Sequence, residues 1–217
     1  MILFFLACAS ETTFSGTFVG NPGKGNARMP SSEGVTLSKA TTNVHYVYYF
    51  SSIGDRADEV NQEVDLLSGE GEFKLLAGAW ETVIIETAPG LTLEGNALDT
   101  QDFTWELPEF FIELKFPEGG ISEQQYILEV GAENWLSADA IVDLGNGSSN
   151  LEIAEIEEFS GNLEDLLAQQ SQLFLDSDGD GMISEQEREY SIATGNDLEE
   201  EEEPEDWDLL YPGWLIP

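Results

Sequence analysis

Runs of aromatic and β-branched residues occupy most of the chain between residues 35 and 142. Several alternate between apolar and polar positions, which predicts strands with one buried face and one solvated face. Gly, Pro, Asn and Asp separate the runs at intervals of about 8–12 residues, a spacing typical of a β-sandwich. The predicted strands cover residues 43–50, 63–67, 72–76, 82–87, 91–94, 102–107, 110–116 and 124–130, and an additional first strand covers 13–19.

After residue 150 the apolar positions recur mostly at three- and four-residue intervals, which predicts helices over 150–158 and 162–175. A third helix is predicted to begin at a capping box, in which Ser184 precedes Glu187 by three residues. Gly195 is the stop signal of this third helix.

An acidic segment, 176–187, separates the second and third predicted helices. Carboxylates occupy its first, third, fifth and twelfth positions, and Gly181 occupies the sixth. Alternate side chains of a short loop can point at one centre, and Ca²⁺ takes about six to eight oxygen ligands. Glycine at the sixth position permits the sharp turn. The pattern predicts a calcium site, and the alternative is a plain acidic turn, because Asp, Gly and Ser are common in turns.

This segment resembles the calcium-binding loop of the EF-hand family, and with its flanking helices the resemblance covers residues 162–194. The resemblance implies oxygens from three aspartates, a backbone carbonyl at the seventh position, a direct or water-mediated contact at the ninth and both oxygens of the last glutamate. The implied Ca²⁺ ligands are Asp176, Asp178, Asp180, Met182, Ser184 and Glu187. The sequence holds no second loop of this kind, so we expect one structural hand and neither a paired sensor nor a dockerin-like assembly module.

The chain is strongly acidic, with 44 Asp and Glu residues against 7 Lys and Arg residues and a formal net charge of −37. This charge excludes nucleic acid as a partner class, because a phosphate backbone is bound through Lys and Arg. The same charge favours the binding of cations. A length of 217 residues with 41% hydrophobic residues suits one domain with a core and an appendage.

An apolar run opens the chain and ends at Cys8, the only cysteine, which follows Ala7. The run resembles the lipobox of bacterial lipoproteins, in which the preceding segment is removed and the cysteine is lipidated. The resemblance implies attachment to the bacterial cell envelope, with sorting to the outer membrane, facing the periplasm or the cell surface. The alternative is a buried strand with a free thiol.

The order of segments between residues 14 and 142 is similar to prealbumin-like and carboxypeptidase-regulatory-like sandwich modules of bacterial surface lipoproteins. We therefore predict a mainly β fold, in which an antiparallel β-sandwich is followed by a small helical EF-hand segment and an acidic tail. The predicted segments are the signal at 1–8, a linker with the first strand at 9–34, the sandwich at 35–145, the helices with the loop at 150–194, and the tail at 195–217.

The predicted tail joins a run of five glutamates, 199–203, to an apolar end, 207–217. A run of like charges predicts disorder. The apolar end either docks on the domain or binds a partner.

The sequence has no nucleophile elbow, His/Cys metal cluster or phosphate-binding loop. The only histidine, His45, lies inside a predicted strand, where we expect a sheet residue. The prediction is a calcium-binding cell-surface lipoprotein without enzymatic activity. The alternative is an envelope module that recognises carbohydrate or protein through Trp80, Trp105 or Trp135, with calcium only structural.

Overall fold

The computed structural model describes residues 23–116, 120–145, 148–189 and 191–195. Cys8 and the residues after Gly195 lie outside this described part, as does the strand predicted at 13–19. The fold is mainly β, and its strands join one 12-stranded sheet. Every strand predicted between residues 43 and 130 is present. The strands are β1 Gly23–Arg28, β2 Val35–Phe50, β3 Arg56–Asp65, β4 Phe73–Leu75, β5 Thr82–Thr87, β6 Leu91–Ala97, β7 Gln101–Leu107, β8 Phe110–Lys115, β9 Gln125–Glu129, β10 Leu151–Glu152, β11 Gln172–Asp176 and β12 Ser191–Gly195.

β2, with 16 residues, connects the two halves of the sheet. Its residues 35–41 pair with β6, and its residues 44–50 pair with β5. β3 runs along the opposite edge of β2. From β6 the sheet continues through β7 to β10, and from β5 it continues through β8, β12, β11, β9 and β1 to β4.

The longer arm of the sheet curls back toward β3. Just past the end of β3, the Leu66 N–H donates to Ala40 O at 2.8 Å, and the Met29 N–H donates to Leu66 O at 3.0 Å. These two bonds bring the end of β1 beside the end of β3. The result is a curled open sheet that encloses a continuous apolar core.

Alternation along the strands decides which side chains enter this core. In β7, Phe103, Trp105 and Leu107 are buried, whereas Asp102 and Glu106 at alternating positions are exposed. Burial of a large apolar side chain contributes about 1.5–3 kcal/mol. A slip of one residue would move the whole apolar set to solvent, so the alternation also fixes the register of the strands.

The helical segments are α1 Ala138–Gly145, a 3-10 helix Ile153–Glu155, α2 Glu157–Gln170 and α3 Glu185–Arg188. α2 packs against β8 and β12 and buries Leu163 and Leu167. The indole N–H of Trp105 in β7 donates to Ser160 Oγ of α2 at 2.8 Å, which links this helix to the sheet. Within the described ranges, none of the helices combines the length and apolar character needed to cross a bilayer.

The segment that precedes the acidic loop is a strand, which corrects the helix predicted at 162–175. α2 covers the first part of that range but ends at Gln170, and β11 occupies the rest. β11 pairs with β9 on one edge and with β12 on the other. Because both edges of the strand satisfy backbone hydrogen bonds with distant residues, tertiary pairing outweighs the local helical spacing.

Two other helix predictions are corrected in the same region. The range 150–158 contains β10, the 3-10 helix and only the start of α2, where a single α-helix was expected. The helix predicted from Ser184 to Gly195 has four residues, and β12 then rejoins the sheet. The residues of α3 are polar, so a longer helix here would bury little apolar surface. The chain instead pairs as a strand.

Strand β1 and the direction of two pairs also differ from the prediction. The range 9–34 was predicted to be a linker whose one strand is at 13–19, yet β1 begins at Gly23 within it. A Cβ at Gly25 would lie 2.8 Å from the Phe73 ring, so glycine here permits close packing within the sheet. β1 pairs with β9 and β7 pairs with β10 in parallel, so the sheet is not wholly antiparallel.

Candidate metal centre

β11 and α3 bring the two ends of the acidic loop together. Asp176 is the last residue of β11 and pairs with Gln125 of β9. Glu187 lies in α3, whose N-cap is Ser184. Asp176 and Glu187 are 7% and 8% exposed, respectively. The sheet and the short helix therefore hold two buried carboxylates at the base of the loop.

The aspartates shape the loop by accepting hydrogen bonds from its backbone. Asp176 Oδ1 accepts from the Gly179 N–H at 2.7 Å, and its Oδ2 accepts from the Gly181 N–H at 3.1 Å. Asp178 Oδ1 accepts from the Asp180 N–H at 3.1 Å. Asp side chains favour such local turns. The backbone is thereby wound around the carboxylate of Asp176.

The two glycines of the loop take up left-handed backbone conformations. Gly179 has a φ of 74° and Gly181 a φ of 72°. Residues with a Cβ adopt this conformation at a cost of about 1–2 kcal/mol. The nearest atom to a Cβ built on Gly181 is Asn26 Nδ2 at 3.5 Å, so backbone conformation, and not space, requires glycine there.

Glu187 accepts hydrogen bonds at both carboxylate oxygens. Its Oε1 accepts from the N–H and the hydroxyl of Ser177, at 2.7 and 2.8 Å. Its Oε2 accepts from the N–H and the hydroxyl of Ser184, both at 2.9 Å. These donors, with the backbone N–H of Ser184 first, lower the pKa of Glu187 to about 2. Glu187 is therefore ionised at neutral pH.

Three carboxylates of the loop converge. Ligand oxygens of Asp176, Asp178 and Glu187 lie within 4.8 Å of one another. Carboxylate and carbonyl oxygens suit hard cations such as Ca²⁺, which bind oxygen in preference to nitrogen or sulfur. Like charges at this separation repel, and a divalent cation between them would remove the repulsion. The three carboxylates could therefore hold a hard metal ion.

The other three predicted ligands lie on the same loop but outside this carboxylate group. Asp180 is exposed, and its Oδ1 accepts from the Met182 N–H at 2.7 Å. The Met182 side chain is 57% exposed. The Ser184 hydroxyl donates to Glu187 Oε2 at 2.9 Å. Coordination by both oxygens of Glu187 would replace part of its present bonding, because a carboxylate has about four lone-pair sites.

Residues outside the loop support it, and sequence reasoning missed them. Arg188 donates from two nitrogens to both oxygens of Glu129 on β9, each at 2.8 Å, which ties α3 to the sheet. Asn26 of β1 lies near Gly181, and among the described residues its buried Oδ1 has no hydrogen-bond donor. The two residues of the ion pair are 59 positions apart, so no local motif could have revealed them.

Comparison with known proteins does not add a relative. Models of protein families, characterised proteins and solved structures all gave no match to this chain.

The three tryptophans named for ligand recognition do not form an exposed row. Trp105 and Trp135 are 1% and 4% exposed, and their ring centroids lie 6.1 Å apart in the core. Trp80 is half-buried against Tyr49, and its Nε1 donates to Leu76 O at 2.8 Å. Of these three tryptophans, Trp80 alone keeps partial exposure.

Proposed function

We propose that this protein binds one Ca²⁺ ion in the loop 176–187 and that the ion has a structural role. The observation that carries the proposal is the convergence of three carboxylates on a loop with EF-hand spacing. The proposed ligands are Asp176, Asp178, Asp180, the carbonyl of Met182, Ser184 and Glu187.

An ion at this position would connect β11 to α3, because Asp176 ends the strand and Glu187 belongs to the helix. The Arg188–Glu129 ion pair would extend that connection to β9. Ca²⁺ would bind the folded loop and not the unfolded chain. Such binding stabilises the fold by RT ln(1 + [Ca²⁺]/Kd), about 2.7 kcal/mol when the free concentration is 100 times Kd.

The elements on either side of the loop favour a structural role over a switching role. A sensor hand opens by changing the angle between two helices. Here β11 precedes the loop, and the four-residue α3 follows it and leads into β12. β11 and β12 are hydrogen-bonded neighbours. The ion would therefore hold a connection between two paired strands, leaving little freedom for a hinge.

Calorimetric titration with Ca²⁺ and thermal melts in Ca²⁺, Mg²⁺ or chelator test the proposal. We expect one saturable site, a higher melting temperature with Ca²⁺, and loss of both effects in Glu187→Gln. Glu185→Gln is the matched control, because it removes the same charge from an exposed neighbour in α3. Weak multivalent heats that Glu187→Gln leaves unchanged would show that the loop is an acidic turn.

The proposal also includes attachment to the bacterial cell envelope through a lipid on Cys8, which rests on the sequence around that residue. Mass spectrometry of the protein recovered from bacterial membranes tests this part independently of calcium. We expect loss of residues 1–7 and an acyl-containing mass on Cys8, both abolished by Cys8→Ser. A chain that keeps residues 1–7 and carries an unmodified thiol would contradict the anchor.

A further inference from the structure

The outer face of the sheet around β2 carries aromatic and acidic side chains that the calcium proposal does not use. Tyr46, Tyr48 and Phe50 occupy alternate positions of β2 and are half-buried, whereas their neighbours Val47 and Tyr49 fill the core. The strand register places further side chains of the neighbouring strands beside these aromatic residues. Tyr46 lies opposite Glu59 of β3 and Glu86 of β5, and Glu86 lies opposite Phe111 of β8. We call the surface formed by Tyr46, Tyr48, Glu59, Glu86 and Phe111 the β2 face.

A β-bulge places a histidine on the same surface. The pairing of β2 shifts between Val44 and Tyr46 on both neighbouring strands, and His45 has no cross-strand partner in either ladder. Against β5, His45 is the extra residue between two consecutive pairs. His45 Nδ1 lies 2.9 Å from Glu86 Oε1. A carboxylate only accepts hydrogen bonds, so this nitrogen carries the proton. The bulge thus directs His45 toward the carboxylate in the middle of the β2 face.

Glu86 is oriented from both sides. Besides its bond with His45, it accepts from the Tyr48 hydroxyl at 2.5 Å through Oε2. Burial first, and then the bond to Glu86, raises the pKa of Tyr48, so this hydroxyl remains a donor. Glu86 is 9% exposed, and within the described ranges it pairs with no lysine or arginine. The β2 face therefore holds a carboxylate that is oriented by His45 and Tyr48 and that, among the described residues, has no lysine or arginine beside it.

Aromatic and acidic groups alternate around this carboxylate. Phe111 is 45% exposed, and the rings of Tyr46 and Tyr48 lie 5.9 Å apart. Glu109 is close enough to Tyr48 to act on its hydroxyl electrostatically, and Glu59 is exposed next to Tyr46. Aromatic rings attract a cation through their faces, by about 0.5–1 kcal/mol at exposed sites. Rings and carboxylates here favour the same class of ligand, a positively charged group.

We propose that the β2 face binds a basic polypeptide, with a lysine or arginine side chain of the partner over the aromatic rings and its charge beside Glu86. Charge complementarity selects this occupant. A second copy of the chain would bring another net charge of −37 to the same surface. The C-terminal residues 196–217 contain no lysine or arginine, so they lack the group that the carboxylates would bind. Nucleic acid and anionic lipid carry the wrong charge.

Fluorescence anisotropy with a labelled peptide of alternating arginine and serine tests the proposal on the full chain at saturating Ca²⁺. A peptide with citrulline in place of arginine keeps the shape and removes the charge. Measurements at 150 and 500 mM NaCl separate local contacts from long-range attraction, which salt screens. Near-ultraviolet circular dichroism confirms that each variant is folded.

Two pairs of variants make the test specific to the β2 face. Phe111→Leu keeps apolar area but removes the ring, and we expect it to weaken binding about 2- to 5-fold. Ile53→Ala, which alters an apolar side chain that is 93% exposed elsewhere, should leave affinity unchanged. Glu86→Gln should weaken binding more than Glu123→Gln, although both remove one negative charge.

Each alternative ligand of the β2 face predicts a different experimental result. Equal affinities of Phe111→Leu, Glu86→Gln and the parent chain would overturn the proposal in favour of general attraction to an acidic protein. Equal binding of the citrulline peptide, or saturable binding of a neutral hexasaccharide that Phe111→Leu abolishes, would overturn it in favour of an uncharged ligand. Dimerisation in light scattering that Phe111→Leu removes would assign the face to a second copy.

Discussion

Arg188 and Glu129 form a bidentate ion pair that ties the helix after the acidic loop to strand β9. Two guanidinium nitrogens donate to the two carboxylate oxygens, each at 2.8 Å. The Glu129 side chain is 7% exposed, whereas that of Arg188 is 41% exposed. The pair raises the pKa of Arg188, chiefly through the hydrogen bonds to Glu129. Because Glu129 is buried and Arg188 is partly exposed, the two residues differ in how much they depend on the ion pair.

This inequality predicts different costs for removing each partner. Arg188→Ala would leave a buried carboxylate without its cation and should lower the free energy of unfolding by about 3 kcal/mol. Glu129→Gln would leave an arginine that can turn to water, so its cost should be smaller. The double variant should therefore be more stable than Arg188→Ala alone. Urea denaturation at fixed Ca²⁺ measures all three.

An exposed ion pair provides the control for this prediction. Arg56 and Asp58 lie 3.2 Å apart on β3, with both side chains substantially exposed. Exposed pairs contribute about 0–1 kcal/mol, so Arg56→Ala should change the free energy of unfolding by less than Arg188→Ala. Equal effects of the two substitutions would contradict a special role for the Glu129 pair.

Two glycines should respond to alanine in opposite directions. Gly181→Ala places a Cβ on a backbone with a φ of 72° and should destabilise the protein by about 1–2 kcal/mol. Gly161 lies inside α2, and nothing comes within 4 Å of a Cβ there. Gly161→Ala should stabilise the protein by about 0.5–1 kcal/mol, because alanine favours a helix more than glycine does. Thermal or urea unfolding distinguishes the two signs.

Acid should remove the stabilisation that the hydrogen bonds to Glu187 provide. The pKa of Glu187 falls from 4.5 to about 2 on folding, so the folded state binds this proton more weakly than the unfolded state. The resulting stabilisation is complete above pH 4.5 and is lost as the pH falls toward 2. In chelator, the difference in unfolding free energy between the parent chain and Glu187→Gln should therefore shrink over this range. A constant difference would contradict the low pKa.

The bond between Trp105 and Ser160 should be a measurable link between the sheet and α2. Ser160→Ala would leave a buried indole N–H without its acceptor, a loss of about 1–3 kcal/mol. Ser38→Ala is the control, because Ser38 donates to Glu94 O at an exposed position. Urea unfolding followed by tryptophan fluorescence should show a lower midpoint for Ser160→Ala and little change for Ser38→Ala.

Much of the sheet could be predicted because strand patterns are local. The predicted strand 82–87 has the same limits as β5, and β7 and β8 lie within one residue of theirs. The wrong helix predictions after residue 150 share a cause. The helical spacing of Leu163, Leu166 and Leu167 suggested a helix as far as residue 175, but from Gln172 the chain pairs with β9, so that Phe174 lies opposite Ile127. No pattern inside the segment shows which distant strand will satisfy its backbone.

For the candidate metal centre, the spacing of the carboxylates predicted a metal-binding loop. The structure adds contacts around that loop which the spacing could not show. Local spacing could not reveal that Asp176 would sit on a strand, that Ser177 would bond to Glu187, or that Asn26 of β1 would lie nearby. These contacts depend on the position of the loop between β11 and α3. They were beyond sequence reasoning because a calcium-loop pattern constrains its own residues and not those that surround it.

The sequence by itself determined the strand alternation, the acidic charge and the loop with glycine at its sixth position, since each depends on neighbours within a few residues. Only the tertiary structure decided that β11 and β12 join the same sheet as β2, and that Glu86 meets Tyr46 and His45 on one face. His45 and Glu86 are 41 positions apart. Contacts at such separations follow from strand order and register, which the whole core fixes cooperatively.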